Sequence, residues 1–339
     1  MKDRVSDLFL LREQESLSKY AFLTQNTRGR KHLYTPCMNR TEYQRDRDKI
    51  IHSKAFRRLM HKTQVFLLPC GEHYRNRMTH TLEVTQIARI MARALRLNED
   101  LAEAGALGHD LGHTPFGHAG EEVMRKCYSK DFSHSDQSLR VVEKLEKEGQ
   151  GLNLTYEVRD AIFCHNEEKQ ACTLEGVLVK FADRIAYINH DIDDAVRAGV
   201  LVYEDIPKDI IEVLGRGHSQ RINNMVSSVI RASTDKPTIQ MESHMYDATM
   251  RLRRFLFDAV YTNPISKGEE VKAKLMLESL WDYYIKHPEQ MPDFFLKIAE
   301  TEGLERAVCD YLSGMTDRYA IDKFKDLYIP ISWKAEDND

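Results

Sequence analysis

The chain has no CxxC pair, no excess of charge of one sign, and no uncharged apolar run approaching the ~18 residues that would suggest a membrane span. Its six cysteines, Cys37, Cys70, Cys127, Cys164, Cys172 and Cys309, are scattered, which suggests neither a disulfide framework nor a zinc ribbon and points to a reducing compartment. The first residues, MKDRVSDLFLLREQES, return to charge after a short apolar stretch, so the expectation is a soluble, cytoplasmic protein with no membrane role. Lys plus Arg number 49 and Asp plus Glu 53, a net charge of -4, so no global basic field is available to hold nucleic acid or an anionic lipid surface. An anionic ligand must therefore meet a local cluster of cations. Prolines number nine and glycines sixteen in 339 residues, and alternating β-branched runs are scarce. The chain reads as all-α, and its length is compatible with about two domains or with one large helical domain carrying appendages.

What stands out is the run His109-Asp110-Leu111-Gly112-His113-Thr114-Pro115-Phe116-Gly117-His118. Imidazole and carboxylate are the ligands of hydrolytic divalent-metal sites, and adjacent His109 and Asp110 can share an ion only if the backbone turns both inward. Around this run the apolar spacing predicts a helix from Thr79 to Leu97 beginning near His80. A second helix, from Glu99 to about Asp110, is capped by Asn98 and ends in the Gly112–Gly117 loop, where Pro115 blocks continuation. A helix from about Leu174 to Ala195 stacks Asp183, Tyr187 and Asp191 at four-residue steps on one face. The stretch 232–240 reads as a linker, followed by a helix from Met250 to Tyr261. We expect an extended N-terminal arm over residues 1–50, a core over 51–231, and a C-terminal helical subdomain over 232–339 that completes the pocket. Residues 335–339 read as an acidic tail.

His80, His109, Asp110 and Asp183 have the chemistry to hold one metal ion, leaving positions open for water and substrate on Mn, Fe, Mg, Ni or Zn. The order H, then HD, then a distant D resembles the HD-domain phosphohydrolases, an all-α superfamily. The similarity extends to Arg77-Met78-Thr79-His80, to HDLGHTPFGHAGE from His109 to Glu121, to FSHSDQSLR from Phe132 to Arg140, and to ADRIAYINHDIDDA from Ala182 to Ala195. With YQRDRDKIIHSKAFRRLMHKTQVF from Tyr43 to Phe66 and RLRRFLFDAVY ending at Tyr261, these strings resemble the dGTPase-like deoxynucleoside triphosphate triphosphohydrolases over roughly residues 14 to 330.

The resemblance implies hydrolysis of a dNTP to deoxynucleoside and inorganic tripolyphosphate at one divalent metal, and a further Mg can accompany the triphosphate. It implies a catalytic role for His118, with Glu121 three residues on as its dyad partner if a helix starts at His118. It places His113 and His134, as imidazolium donors, together with Arg77, Arg184 and Arg253 on the phosphates. Gln64, Tyr187 and Asp191 match the sugar-binding positions, the Tyr ring leaving no room for a ribose 2′-hydroxyl. Tyr261 matches a further pocket position, and Asp193 and Asp194 read as helix-end acids. Partners implied are the dNTP itself and further copies of the chain in a homo-oligomer, with a dNTP effector or single-stranded nucleic acid as additional ligands.

Other readings use the same residues. A binuclear centre would draw on His113, His118, His134 and His165. An HD phosphomonoesterase or cyclic-nucleotide phosphodiesterase would apply the same four ligands to another phosphate. A nucleotide-sensing or single-strand-binding oligomer would use the Arg-rich stretch Arg40 to Arg58, with Tyr43 and Phe56 interleaved.

Overall fold

The computed structural model describes residues 4–64, 74–166, 169–261 and 264–330, and these residues are helical with no strand beyond two isolated bridges, as an all-α chain requires. The first elements are α1 (Val5–Ser16), α2 (Glu42–Ile51) and the short α3 (Lys54–Arg58). This corrects the expectation of an extended arm up to residue 50. Thr41 and Gln44 form a reciprocal capping box that starts α2, and the helix buries Tyr43, Asp46 and Ile50 on one stripe. The carboxylate of Asp46 tolerates burial because Arg30 pairs with it and the Thr155 N–H and hydroxyl each donate to it at 2.7 Å. Further anchors fasten the arm to the core: Phe22 N–H donates to Glu175 at 2.9 Å, and the Thr27 hydroxyl to Glu157 at 2.6 Å.

Next come α4 (Arg77–Ala94), α5 (Glu99–Gly108), α6 (His118–Cys127), α7 (His134–Arg140), α8 (Tyr156–Phe163) and α9 (Leu174–Arg197). Helix α4 starts ahead of the expected Thr79 because Asn76 caps it, accepting from Thr79 N–H at 3.0 Å. Of the apolar residues whose spacing marks this helix, Ile87 and Met91 are buried and Leu82 and Ile90 are exposed; Val84, Ile87 and Met91 lie in one cluster with Ile185, Ile188 and Ile192 of α9. Each of these side chains contributes about 1.5–3 kcal/mol over leaving it in water. Asn98 caps α5 as expected, and His118 opens α6.

The chain continues through α10 (Lys208–Leu214), α11 (His218–Ser233) and α12 (Ser243–Leu256), and then α13 (Pro264–Lys286), α14 (Asp293–Glu302), α15 (Leu304–Ser313) and α16 (Asp317–Tyr328). Helix α12 starts seven residues before the expected Met250, and its Met245, Ala248 and Leu252 return to the cluster built on α4 and α9. Helices α13 to α16 pack instead around α6, where Phe116, Ala119 and Val123 are buried with Leu277, Leu280, Val308 and Leu312. The last four helices therefore rest on the segment that follows the HisAsp pair. No helix among the described residues is long and apolar enough to cross a membrane.

Candidate active site

Three helices bring the four candidate ligands together. His80 lies on the first turns of α4, His109 and Asp110 at the end of α5, and Asp183 midway along α9. His80 Nε2 is 3.3 Å from His109 Nε2 and 3.2 Å from Asp183 Oδ1, while His109 Nε2 is 3.8 Å from Asp110 Oδ1 and 3.9 Å from Asp183 Oδ1. His109 Nδ1 donates to the Ala106 carbonyl at 2.7 Å, which fixes its Nε2 as a lone pair facing the other donors. Ligands about 2.0–2.2 Å from a common ion stand about 3–4 Å from one another. The two imidazoles and two carboxylates therefore fit a hydrolytic divalent cation.

Electrostatics favours the ligating protonation states. Burial resists ionisation of Asp110, but the Arg77 guanidinium, which donates to Asp110 Oδ2 at 2.6 Å, and the nearby imidazoles hold its carboxyl well below the usual range. Asp183 is likewise lowered against burial by His80 and His109. Burial lowers the pKa of His80, leaving the neutral imidazole a metal requires.

The connection from Leu111 to Gly117 sets the remaining histidines. A Cβ on Gly112 would lie 2.1 Å from the backbone nitrogen of Ser138, so this residue lets the loop touch α7. Phe116 and Gly117 both take positive φ, 59° and 58°, a turn that aims α6 back toward the metal ligands. His113 stacks on His134 with ring centroids 4.7 Å apart and meets His118 edge-on at 6.0 Å. Burial and the charge of Arg77 lower the pKa of His113, favouring the neutral ring over the imidazolium expected of it. His134 is raised: burial opposes its protonation, but the Glu121 carboxylate overrides it. His118 is exposed at the edge of this cluster, and the loss of water from around its ring together with the Arg77 charge lowers its pKa, favouring the neutral form.

Glu121 differs from the expected dyad. Its Oε1 accepts from the His134 backbone N–H at 3.0 Å, lies 3.3 Å from His134 Nδ1 and pairs with Arg125 at 2.9 Å, and among the described residues no hydrogen bond joins it to His118. The amide at the start of α7 and the guanidinium one turn along α6 compete successfully for this carboxylate.

Along α9, Asp183 and Tyr187 are half-buried and Asp191 is buried. Arg184 is buried, its guanidinium 5.8 Å from the centre of the Tyr246 ring, and Arg253 is half-buried on α12. Gln64 presents a buried Oε1 with no hydrogen-bond partner among the described residues. The side chain of Tyr261 lies outside the described residues. Asp193 and Asp194 serve as helix-end acids, held by Arg75, Arg197 and His218.

Two further histidines complete the surroundings, His165, named above only for a binuclear centre, and His190, which the sequence did not single out. His165 Nδ1 donates to the Ile162 carbonyl at 2.7 Å, the same i−3 anchoring as His109, and its Nε2 sits 3.0 Å from His134 Nε2. Asp110, His113 and His134 also present donor atoms within 4.8 Å of one another. His190 lies between Glu83, 2.8 Å from Nδ1, and Asp191, 3.3 Å from Nε2. Burial opposes its charge, but the two carboxylates push its pKa up to about 9, and it stacks edge-on to His80 at 5.0 Å. An imidazolium there steadies Asp191. The only sequence hint was its place between Asn189 and Asp191.

Fold and site together define an HD-domain protein of the phosphohydrolase class. The HD domain family model matches residues 77–188 and the phosphohydrolase-associated domain model residues 239–326. The chain is 56% identical over 321 residues to a deoxyguanosinetriphosphate triphosphohydrolase-like protein of Caldanaerobacter subterraneus, covering 95% of either chain. Identity to proteins of the same description is 46% in Desulfatibacillum aliphaticivorans, over 96% of this chain and 98% of that one, and 47% in Clostridium perfringens, over 94% and 96%. The chain belongs to the deoxyguanosinetriphosphate triphosphohydrolase-like family.

Proposed function

We propose that the protein hydrolyses deoxynucleoside triphosphates to deoxynucleoside and inorganic tripolyphosphate. The observation that carries this reading is the convergence of His80, His109, Asp110 and Asp183 beside a second set, Arg77, His113, His118 and His134, suited to an α-phosphate. A bound divalent cation supplies a polarised phosphate oxygen and a water of lowered pKa. The chain's own residues do the rest. Arg77 holds Asp110 ionised, and its Nε, without a partner among the described residues, is free to meet a phosphate oxygen. Imidazolium at His134 offsets developing charge.

In the balanced reaction the water oxygen joins the α-phosphorus, the bond from that phosphorus to O5′ breaks, and O5′ takes a proton. His118, neutral and reachable from solvent, is assigned to take a proton from the attacking water and to pass one to O5′. Arg184 and Arg253 are assigned to the outer phosphates, and Gln64, Tyr187 and Asp191 to the deoxyribose. The active form is proposed to be a homo-oligomer.

The test is a panel of dNTPs and NTPs with Mn, Mg, Fe, Ni and Zn, read by product chromatography. Tripolyphosphate and deoxynucleoside in equal amounts from at least one dNTP are expected. Release of monophosphate or pyrophosphate alone would replace this reading with another phosphohydrolase activity.

A further inference from the structure

We infer that Asp317 and Lys62 are positioning residues through which the C-terminal helices hold the loop carrying His113 and His118 in its working shape. Asp317 is the first residue of α16 and is 3% exposed. Its Oδ1 accepts the Phe116 N–H at 2.9 Å, and its Oδ2 accepts the Thr63 N–H at 2.8 Å together with the Thr63 hydroxyl. Lys62, 2% exposed, donates from Nζ to the His113 carbonyl and, at 2.9 Å, to the Ser313 carbonyl at the end of α15. Its own carbonyl accepts the Arg77 N–H at 3.1 Å.

Two side chains thus tie together the residue before the sugar-side Gln64, the start of α4, the histidine loop and both ends of the α15–α16 connection. The geometry has a reason to be there. Phe116 has a φ of 59°, which a residue with a side chain adopts only when its surroundings enforce it, and the Asp317 bond is made to that residue's own amide. The Phe116 side chain is buried in the cluster of α13, α15 and α16, so backbone and ring are held from the same side. Among the described residues the hydrogen bonds of both positioning residues go to groups other than the four proposed metal ligands, and His118 begins the helix two residues after Phe116. Loss of the clamp should therefore leave metal binding intact and disturb the placement of the proton-moving imidazole. On this inference the associated helical domain completes the site mechanically, by holding its histidine loop.

The catalytic readout of this inference rests on the triphosphohydrolase reading, whereas the structural readout does not. In the full-length, Mn-loaded protein, Asp317→Asn keeps the shape of the side chain and removes an acceptor. Hydrogen exchange followed by mass spectrometry should show residues 111–121 exchanging about tenfold faster, with residues 77–94 unchanged. With the dNTP best hydrolysed by wild type, kcat should fall about 100-fold, while KM and Mn affinity move less than about threefold. Ile298→Ala, which removes a buried α14 side chain from the cluster that also holds Phe116 but none of the clamp's hydrogen bonds, is the control for general loosening. Thr63→Val, which removes one donor to Asp317, repeats the test if Asp317→Asn does not fold. The inference is overturned if exchange in 111–121 is unaltered, or if kcat falls no further than in Ile298→Ala at equal loss of Tm. Absence of hydrolysis in wild type would refute the functional reading alone, and the exchange result would still decide the clamp.

Discussion

Buried Glu121 and half-buried His134 form an acid–imidazole pair, the carboxylate taking both the backbone N–H of His134 at 3.0 Å and a contact from its Nδ1 at 3.3 Å. Burial alone would neutralise both groups. Their attraction prevails, bringing Glu121 down to about 2 and raising His134 above its ordinary 6.5. The contribution of Glu121 is complete above pH 4.5 and is lost as pH falls toward about 2. That of His134 is complete below pH 6.5 and is lost as pH rises through its raised folded value. The pair should stabilise most between these limits. Glu121→Gln is expected to cost about 2–3 kcal/mol there and less at pH 9, measured by urea unfolding at a series of pH values. A deficit of the same size at every pH would show that charge pairing is not what joins these residues.

The proposed division between metal ligands and proton-moving residues gives opposite expectations for neighbouring substitutions. His118→Ala should bind one Mn per chain like wild type and lose about 10²–10⁴-fold in kcat. Asp110→Ala removes a ligand and strips Arg77 of its buried partner, so both metal and turnover should disappear. Metal counting and thermal melts read this directly. Free metal at 100 times its Kd should stabilise wild type and His118→Ala by about 2.7 kcal/mol, and Asp110→Ala by little. Retention of full metal occupancy by Asp110→Ala would remove that residue from the ligand set. Two ions per wild-type chain would favour a second site drawing on His134 and His165.

Local signals carried the centre of the fold, and contacts across the chain carried what sequence did not reveal. Asn98, the apolar spacing beyond it and Pro115 mark α5 and its loop because capping and ring closure act within a few residues. Helix α2 was hidden for a physical reason. Its buried stripe is Tyr43, Asp46 and Ile50, and the aspartate looks solvated until Arg30 and Thr155, 16 and 109 residues away, are brought to it. The Thr41–Gln44 capping box was the signal that could have exposed it. His109 and Asp110 announced themselves as a doublet, whereas His165 was only one of several spare histidines until its Nδ1 was seen bonded to Ile162, the anchoring His109 makes to Ala106. Asp317 carries no motif at all. Its partners are 201 and 254 residues away.

Tyr187 should set the preference for deoxyribose. It stands one turn beyond Asp183 and one before Asp191 on α9, half-buried on the face that carries the metal ligand. A ring against C2′ excludes a hydroxyl by its bulk, so Tyr187→Ala should admit ribonucleotides. The ratio of kcat/KM for a dNTP to that for the matching NTP is expected to fall about 10–100-fold, chiefly through a gain on the NTP. An equal loss on both sugars would mean that the ring supports the site without reading the sugar.

Glu175 makes folding stability depend on pH near neutrality. Its side chain is fully buried, with Oε1 accepting the N–H groups of Phe22 and Asn98, each at 2.9 Å, and Oε2 buried without a hydrogen-bond partner among the described residues. Burial pushes its pKa up to about 7, the two amides pulling the other way. For an acid raised in the folded state the sign is fixed. The unfolded chain releases its proton near pH 4.5 and the folded one near 7, so stability is greatest below 4.5 and declines as pH rises through 7. The loss amounts to about 3 kcal/mol between those limits. Glu175→Gln keeps the acceptor for both amides and carries no charge at any pH. It should therefore flatten the decline and exceed wild type in stability at pH 8, with slower proteolysis around Phe22, whose amide the side chain holds. Equal slopes in the two proteins between pH 5 and 8 would place the ionisation elsewhere.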